Sequence, residues 1–365
     1  MHFVVKRDIL LKSLNFVQGV VEKKNTLPIL SNVLIQLKEK KLSIIATDLD
    51  IIFYDEIKDV KVINEGSTTT SAAILYDILR KISSNAELNF DLKSENKLSL
   101  KVDNSDFNLL CLPTDNFPTF PDQFSEDEVK IDNKKFLRLL NKTRISISND
   151  DTRHYLNGVY LHVTEAEGRN FLTGVATDSH RLSSSSLEIQ ENLQFSSLIL
   201  PRKTVFQLCS LLSDTAETLS IQTSENKIKF LIGNIKLVSK VIDGKFPDYK
   251  KVVPQNNSKT LIVNSKDFIN SVERVITVSI DRKEGVKIAL KKDQIQLFVN
   301  SSSSGEGKEN LEAQYNSDDL TVGFNSRYLL DIASEIQDEK LVMNLHDPVS
   351  PVLIQDKSDK QSFFV

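Results

Sequence analysis

The sequence predicts an α+β protein of three similar domains, each with two helices packed on antiparallel sheets. Three observations lead there. Similar short stretches recur at a constant interval, each third of the chain repeats an order of strand, polar cap and helix, and the segments between alternate apolar and polar residues. IIATDLDI at 44–51 returns as GVATDSHRL at 174–182, and LPTDNFPTFP at 112–121 returns as KVIDGKFPDYKKVVP at 240–254, both about 130 residues on.

The elements run in order. FVVKRDILLKSLNFV at 3–17 reads as a short strand running into a helix, because Leu10, Leu14, Val17 and Val21 fall on one helical face. SAAILYDILRKI at 71–82 is a second helix. The pair recurs as EVKIDNKKFLRLLNKTRI at 128–145 with PRKTVFQLCSLL at 201–212, and again as TLIVNSKDFINSVERVI at 260–276 with LTVGFNSRYLLDIASEI at 320–336. KLSIIA, KLSLKV, KIKFLI, KLVSKVI and QIQLFV carry the period-2 pattern of half-buried antiparallel strands. SSSSGEGKEN at 301–310 lacks the spacing of a phosphate loop and reads as a flexible Ser/Gly connection between strands. The boundaries predicted are 1–127, 128–257 and 258–365, at polar junctions.

Composition narrows the function classes. The 365 residues are 40% hydrophobic and 26% charged, which describes a globular chain rather than a disordered one. No apolar run approaches the roughly 18 residues of a membrane span, and charges interrupt the apolar N-terminus where a secretory signal would be continuous. The expected location is therefore cytoplasmic, with no membrane partner. Cys111 and Cys209 sit in apolar settings and suit a reducing compartment. A net charge of −4 argues against a uniformly basic nucleic-acid binder.

Asp178, Ser179 and His180 are adjacent, and adjacent side chains point in different directions, so they cannot form a hydrolytic triad. With five His and no paired-Cys or H-E-x-x-H motif, neither a metal centre nor a cofactor is expected, and this stretch is not expected to be catalytic. SHRL, present only in the second repeat, is the part that the shared fold does not explain.

TLPILSNVL at 26–34, ATDLD at 46–50, RHYLNGVYL at 153–161, ATDSHRL at 176–182, LPRKTV at 200–205 and DGKFPDYKKVVP at 243–254 together resemble the bacterial sliding clamps, the β subunits of DNA polymerase III. The resemblance covers nearly the whole chain. It implies a non-catalytic processivity factor whose homodimer closes head to tail around double-stranded DNA, without sequence preference. It also implies partners: the polymerase III catalytic subunit, the clamp loader and other proteins with a clamp motif. Packing arithmetic agrees. Domains of this length behave as spheres about 36 Å across, and six in a ring leave a gap of about 36 Å for a duplex roughly 20 Å wide. A repetitive protein-binding scaffold without a ring is the alternative.

The resemblance places DNA contacts at Lys24, His154, Tyr155, Arg202 and Lys203. A basic stripe at Lys134, Arg138 and Lys142, echoed by Lys266, Asn270 and Arg274, is expected to face phosphates too. The groove for partner peptides falls to Leu156, Thr177, His180, Arg181, Leu182, Pro247, Lys251 and Val252, with Val349, Pro351 and Val365 from the third domain. Dimer contacts fall to Phe107 and Leu109 on one side and Thr277 and Val278 on the other, expected on edge strands. His154 stands where the family often has an aromatic residue and Ser179 where it commonly has Gly. The clamps resembled continue past the final strand with a Met-Pro-type tail, whereas this sequence stops at QSFFV, so normal dimerisation with weaker peptide binding is expected.

Overall fold

The computed structural model describes residues 1–22, 27–118, 124, 128–189, 195–214, 218–279 and 285–365. Six α-helices lie among them: α1 (Arg7–Val20), α2 (Ala72–Leu79), α3 (Asn133–Arg144), α4 (Arg202–Ser213), α5 (Ser265–Val275) and α6 (Ser326–Ser334). The helix-forming segments of the sequence thus all form helices. Their caps explain where several begin. The Ser71 hydroxyl accepts from the Ile74 N–H, and the Asn264 and Asn325 side chains each accept from two N–H groups in the first turns of α5 and α6.

The chain forms two compact units, 1–137 with 203–241, and 138–202 with 242–365. In the first, the described strands make one thirteen-stranded sheet, and α1 and α2 pack together. Leu10, Leu14 and Val17 of α1 are buried, and Phe3 stacks on Phe90 with ring centroids 4.8 Å apart. The second unit holds a nine-stranded and a four-stranded sheet, with a core running from Leu261 to Phe364. Gly174 is required there by close packing, since a Cβ would come within 2.5 Å of Leu139 Cδ2.

Both large sheets run across the boundaries of the sequence repeats. In the first unit, strand Ile51–Ile57 pairs antiparallel with Ile235–Lys240, Phe53 opposite Leu237. In the second, strand Leu182–Glu188 pairs with Asp359–Phe364, Ser184 opposite Phe363. Val365 continues this edge, exchanging both main-chain hydrogen bonds with Leu182 at 2.8 Å. Most of SSSSGEGKEN corrects the loop expectation: Gly305–Glu312 is a strand, paired with Gln294–Ser301. Its outward residues are polar because it forms the edge of the four-stranded sheet, so alternation gave no signal.

Candidate partner groove and DNA-facing residues

The ATDSHRL stretch folds as a turn held by its own side chains. The Thr177 hydroxyl donates to the Arg181 carbonyl at 2.7 Å and accepts the Ser179 N–H at 3.1 Å. Asp178 Oδ1 accepts the N–H groups of His180 and Arg181, both at 3.0 Å, and its Oδ2 takes the Arg181 Nε at 3.1 Å. Ser179 occupies the left-handed region at φ 76°, the conformation that favours Gly. The Asp178 carboxylate is therefore committed to the turn and to Arg181, and the Ser179 hydroxyl meets the Arg153 guanidinium at 2.6 Å. No nucleophile, base and orienting acid meet here.

What the turn builds is one wall of an apolar groove of about 700 Å³. Leu156, Thr177, His180, Arg181, Leu182, Pro247, Val252, Val349, Pro351 and Val365 all line it. Lys251 does not; it is exposed and pairs with Asp248 at 3.3 Å. Arg181 ties the turn to α6: beyond Asp178 it reaches Asp331 of α6 at 2.7 Å, and its guanidinium lies 4.2 Å from the Tyr328 ring centroid. Burial, and then the nearby Asp178 charge, push the Tyr328 phenol up.

The lining residues not anticipated from sequence are chiefly Tyr249, Phe324, Tyr328 and Leu329. The last three come from the strand-to-helix module at 320–336, whose pattern reads as core packing alone. Tyr249 sits inside DGKFPDYKKVVP, and its hydroxyl bonds His162 Nε2 at 3.1 Å. Tyr160 stacks on both His162 and Phe246, with centroids 4.5 and 5.0 Å apart. Burial, with the Lys250 charge second, lowers the His162 pKa to about 4, so the ring is neutral at physiological pH. Burial likewise raises Tyr249 to about 12.

The basic stripe needs correction at Lys142. Its side chain is 1% exposed, bonded to Asp356 at 3.3 Å and to the Glu335 carbonyl, so it cannot meet a phosphate. Residues four apart drift 40° round a helix of 3.6 residues per turn, so Lys142 lies 80° from Lys134, towards the buried face of Leu139 and Thr143. Burial alone would raise the Asp356 carboxyl, but the Gln337 N–H, the Ser358 hydroxyl and Lys142 hold it below the usual range. Arg138 is occupied by Asp359, Gln361, Ser362 and the Ser186 carbonyl. Lys134 is exposed, as are Lys266 and Asn270, while Arg274 pairs with Glu309.

Of the other expected DNA contacts, Lys24 lies outside the described residues. His154 is exposed, edge-on to half-buried Tyr155 at 5.8 Å, and Arg202 is exposed at the start of α4. Lys203 instead donates to Asp48 at 2.5 Å and to the Val20 carbonyl at 2.8 Å. Of the dimer residues expected on edge strands, Phe107 and Leu109 lie on strand Ser105–Leu112, whereas Thr277 and Val278 lie on no strand. Thr277 and Val278 belong to a 3₁₀ turn, Ile276–Val278, beside the edge strand Gly305–Glu312. Leu109 is 6% exposed and points inward, whereas its neighbour Leu110 is 83% exposed. Strand Ser105–Leu112 pairs on its second side only at Cys111 and Leu112, so its first residues do present an open edge.

Among the described residues no helix is long and apolar enough to cross a membrane, and no His, Cys, Asp and Glu cluster could hold a metal ion. A repeated fold with an apolar groove walled by a side-chain-braced turn has the form of a binding protein. Comparison with known proteins gives the class its family. The N-terminal, central and C-terminal domains of the DNA polymerase III beta subunit match residues 1–121, 130–248 and 250–364. The beta sliding clamp of Caulobacter vibrioides strain NA1000 is 37% identical over 362 residues, 98% of this chain and 97% of its own. That of Escherichia coli K12 is 34% identical over 365 residues, 100% and 98% of the two chains. The crystal structure of a DnaN sliding clamp from Bartonella birtlesii bound to griselimycin superposes with a TM-score of 0.95 at 39% identity, covering 100% of this chain and 98% of that one. The chain belongs to the DNA polymerase III beta subunit family, the sliding clamps. It has the three-domain clamp fold and serves as a non-catalytic processivity factor in DNA replication.

Proposed function

We propose that this chain closes as a head-to-tail homodimer around duplex DNA and that the groove beside SHRL is where polymerase III, the clamp loader and other clamp-motif proteins dock. The observation that carries this reading is the groove itself. One apolar cavity gathers the SHRL segment, Pro247 and Val252, and the chain end from Val349 to Val365, residues scattered from 179 to 365. Such a cavity, rimmed by Arg181 and His180, suits a short peptide with Leu or Phe anchors, each worth about 1.5 to 3 kcal/mol when fully buried.

The domains divide at 127/128 and 257/258. DNA is met by Arg202, His154, Tyr155, Lys134 and Lys24, while Lys203 spends its charge on Asp48. The dimer joins the open edge at Phe107 to the surface around Thr277, Val278 and the strand Gly305–Glu312, which supplies a second open edge. A replication factor of this kind works in the cytoplasm at the nucleoid.

The test is the double variant His180→Ala with Arg181→Ala. It should lose polymerase stimulation, and raise the Kd of a peptide with Leu and Phe anchors by more than tenfold, while keeping the mass of the wild-type assembly. Unchanged peptide affinity would place docking elsewhere, and loss of assembly would make the segment structural.

A further inference from the structure

The groove does not stop at the strand Leu320–Asn325. Gly323, Phe324 and Asn325 line it on one side, and on the other they line a second, open depression of about 600 Å³ with Gly285, Lys287, Phe298 and Asn300. Strand register explains the second depression. On the outer face of the four-stranded sheet, Gly323 stands opposite Lys287, Lys287 opposite Phe298, and Phe298 opposite Lys308. The ridge between the two depressions is notched at Gly323, where a Cβ would meet no atom within 4 Å. Beyond it lies an exposed cation, Lys287, and then an aromatic ring with the Lys308 ammonium 5.1 Å from its centroid. Lys287 is the charged residue of the lining, and Glu306, opposite Asn300, pairs with Lys308 at 3.4 Å.

We propose that this outer face is an extension of the groove and takes the acidic flank of a docked partner peptide, which crosses the Gly323 notch in extended form. The proposal rests on the groove reading above. Neighbouring strands lie about 4.8 Å apart, so Gly323 and Phe298 are separated by about 10 Å, a span that an extended chain covers in about three residues. One carboxylate then meets Lys287 and one apolar side chain lies on Phe298. The sign of the lining charge selects an acidic flank over a basic one, and the flat open surface makes the contact additional to the anchors.

Calorimetric titration of the full chain at low salt tests this with synthetic peptides. One carries the Leu and Phe anchors alone. The others add Asp-Asp-Leu at the N-terminal or the C-terminal end, or Lys-Lys-Leu at the same ends. The acidic extension at one end should tighten binding about three- to tenfold, the range of an exposed ion pair with some apolar contact, and the basic extensions should not. Lys287→Glu should erase the gain while leaving the anchor-only peptide unaffected, and Gly323→Val should erase it by closing the notch. No gain at either end, an equal gain from Lys-Lys-Leu, or a gain that survives Lys287→Glu overturns the proposal. A change in assembly mass in Lys287→Glu also overturns it, by giving this face to a second copy of the chain. Failure of the anchor-only peptide to bind at all overturns the groove reading and the extension with it.

Discussion

The turns at 46–51 and 176–182 share their hydrogen bonds but not their use. In the first, as in the second, Thr accepts an N–H two residues on and donates to a carbonyl four residues on, Asp accepts two N–H groups, and a non-Gly residue sits in the left-handed region, Leu49 at φ 81°. The difference lies in the second carboxylate oxygen. Asp48 gives it to Lys203, whereas Asp178 gives it to Arg181, which passes on to Asp331 and the groove. A repeated ATD is thus a backbone device, and the partner taken by its Asp decides whether the turn closes on its own unit or opens to a ligand.

The strongest break of this comparison is Asp→Ala in each turn. Asp48 is 6% exposed at its side chain and holds two N–H groups and an ammonium, so Asp48→Ala should cost about 3 kcal/mol in urea unfolding. Asp178→Ala should cost about 1 to 2 kcal/mol, because Arg181 keeps Asp331, but it should weaken peptide binding, which Asp48→Ala should leave alone. Equal costs would mean that the second oxygen contributes nothing.

A finer contrast uses Gly at the left-handed position. Ser179→Gly relieves backbone strain on an exposed residue and should stabilise by about 0.5 to 1 kcal/mol. Leu49→Gly relieves the same strain but removes a side chain packed against Ile29, Leu30 and Phe117, so it should destabilise by about 1 kcal/mol. Thermal unfolding with opposite signs sharpens the comparison; the same sign in both sinks it.

A further contrast is one of pH and belongs to the second turn's unit. His162 titrates near 4 when folded and near 6.5 when not, so the unfolded chain takes its proton first. Its contribution to stability is intact above about 6.5 and is lost as pH falls towards 4. His162→Phe should flatten the stability profile in that window, and an unchanged slope would assign the acid sensitivity to other groups.

Much of this was legible in the sequence because it is local. The helices announce themselves by period and cap, and ATD by recurrence. The groove residues came from resemblance, and all but Lys251 line one cavity. Lys142 was misread because i, i+4, i+8 spacing looks like one face only if the 40° drift is ignored. Tyr328 and Leu329 were missed because an apolar helix face reads the same whether it meets core or ligand. The pairing of Ile51–Ile57 with Ile235–Lys240 had no local signal, since a strand's pattern records which face is buried and not which strand lies beside it.

That pairing separates what was copied from what can be removed. A central repeat cut out at its sequence boundaries would carry two raw edges, Ile235–Lys240 without Ile51–Ile57 and Leu182–Glu188 without Asp359–Phe364, and would stick to its own kind. The repeat is the unit of inheritance, while the unit of autonomy is the sheet that crosses from one repeat into the next.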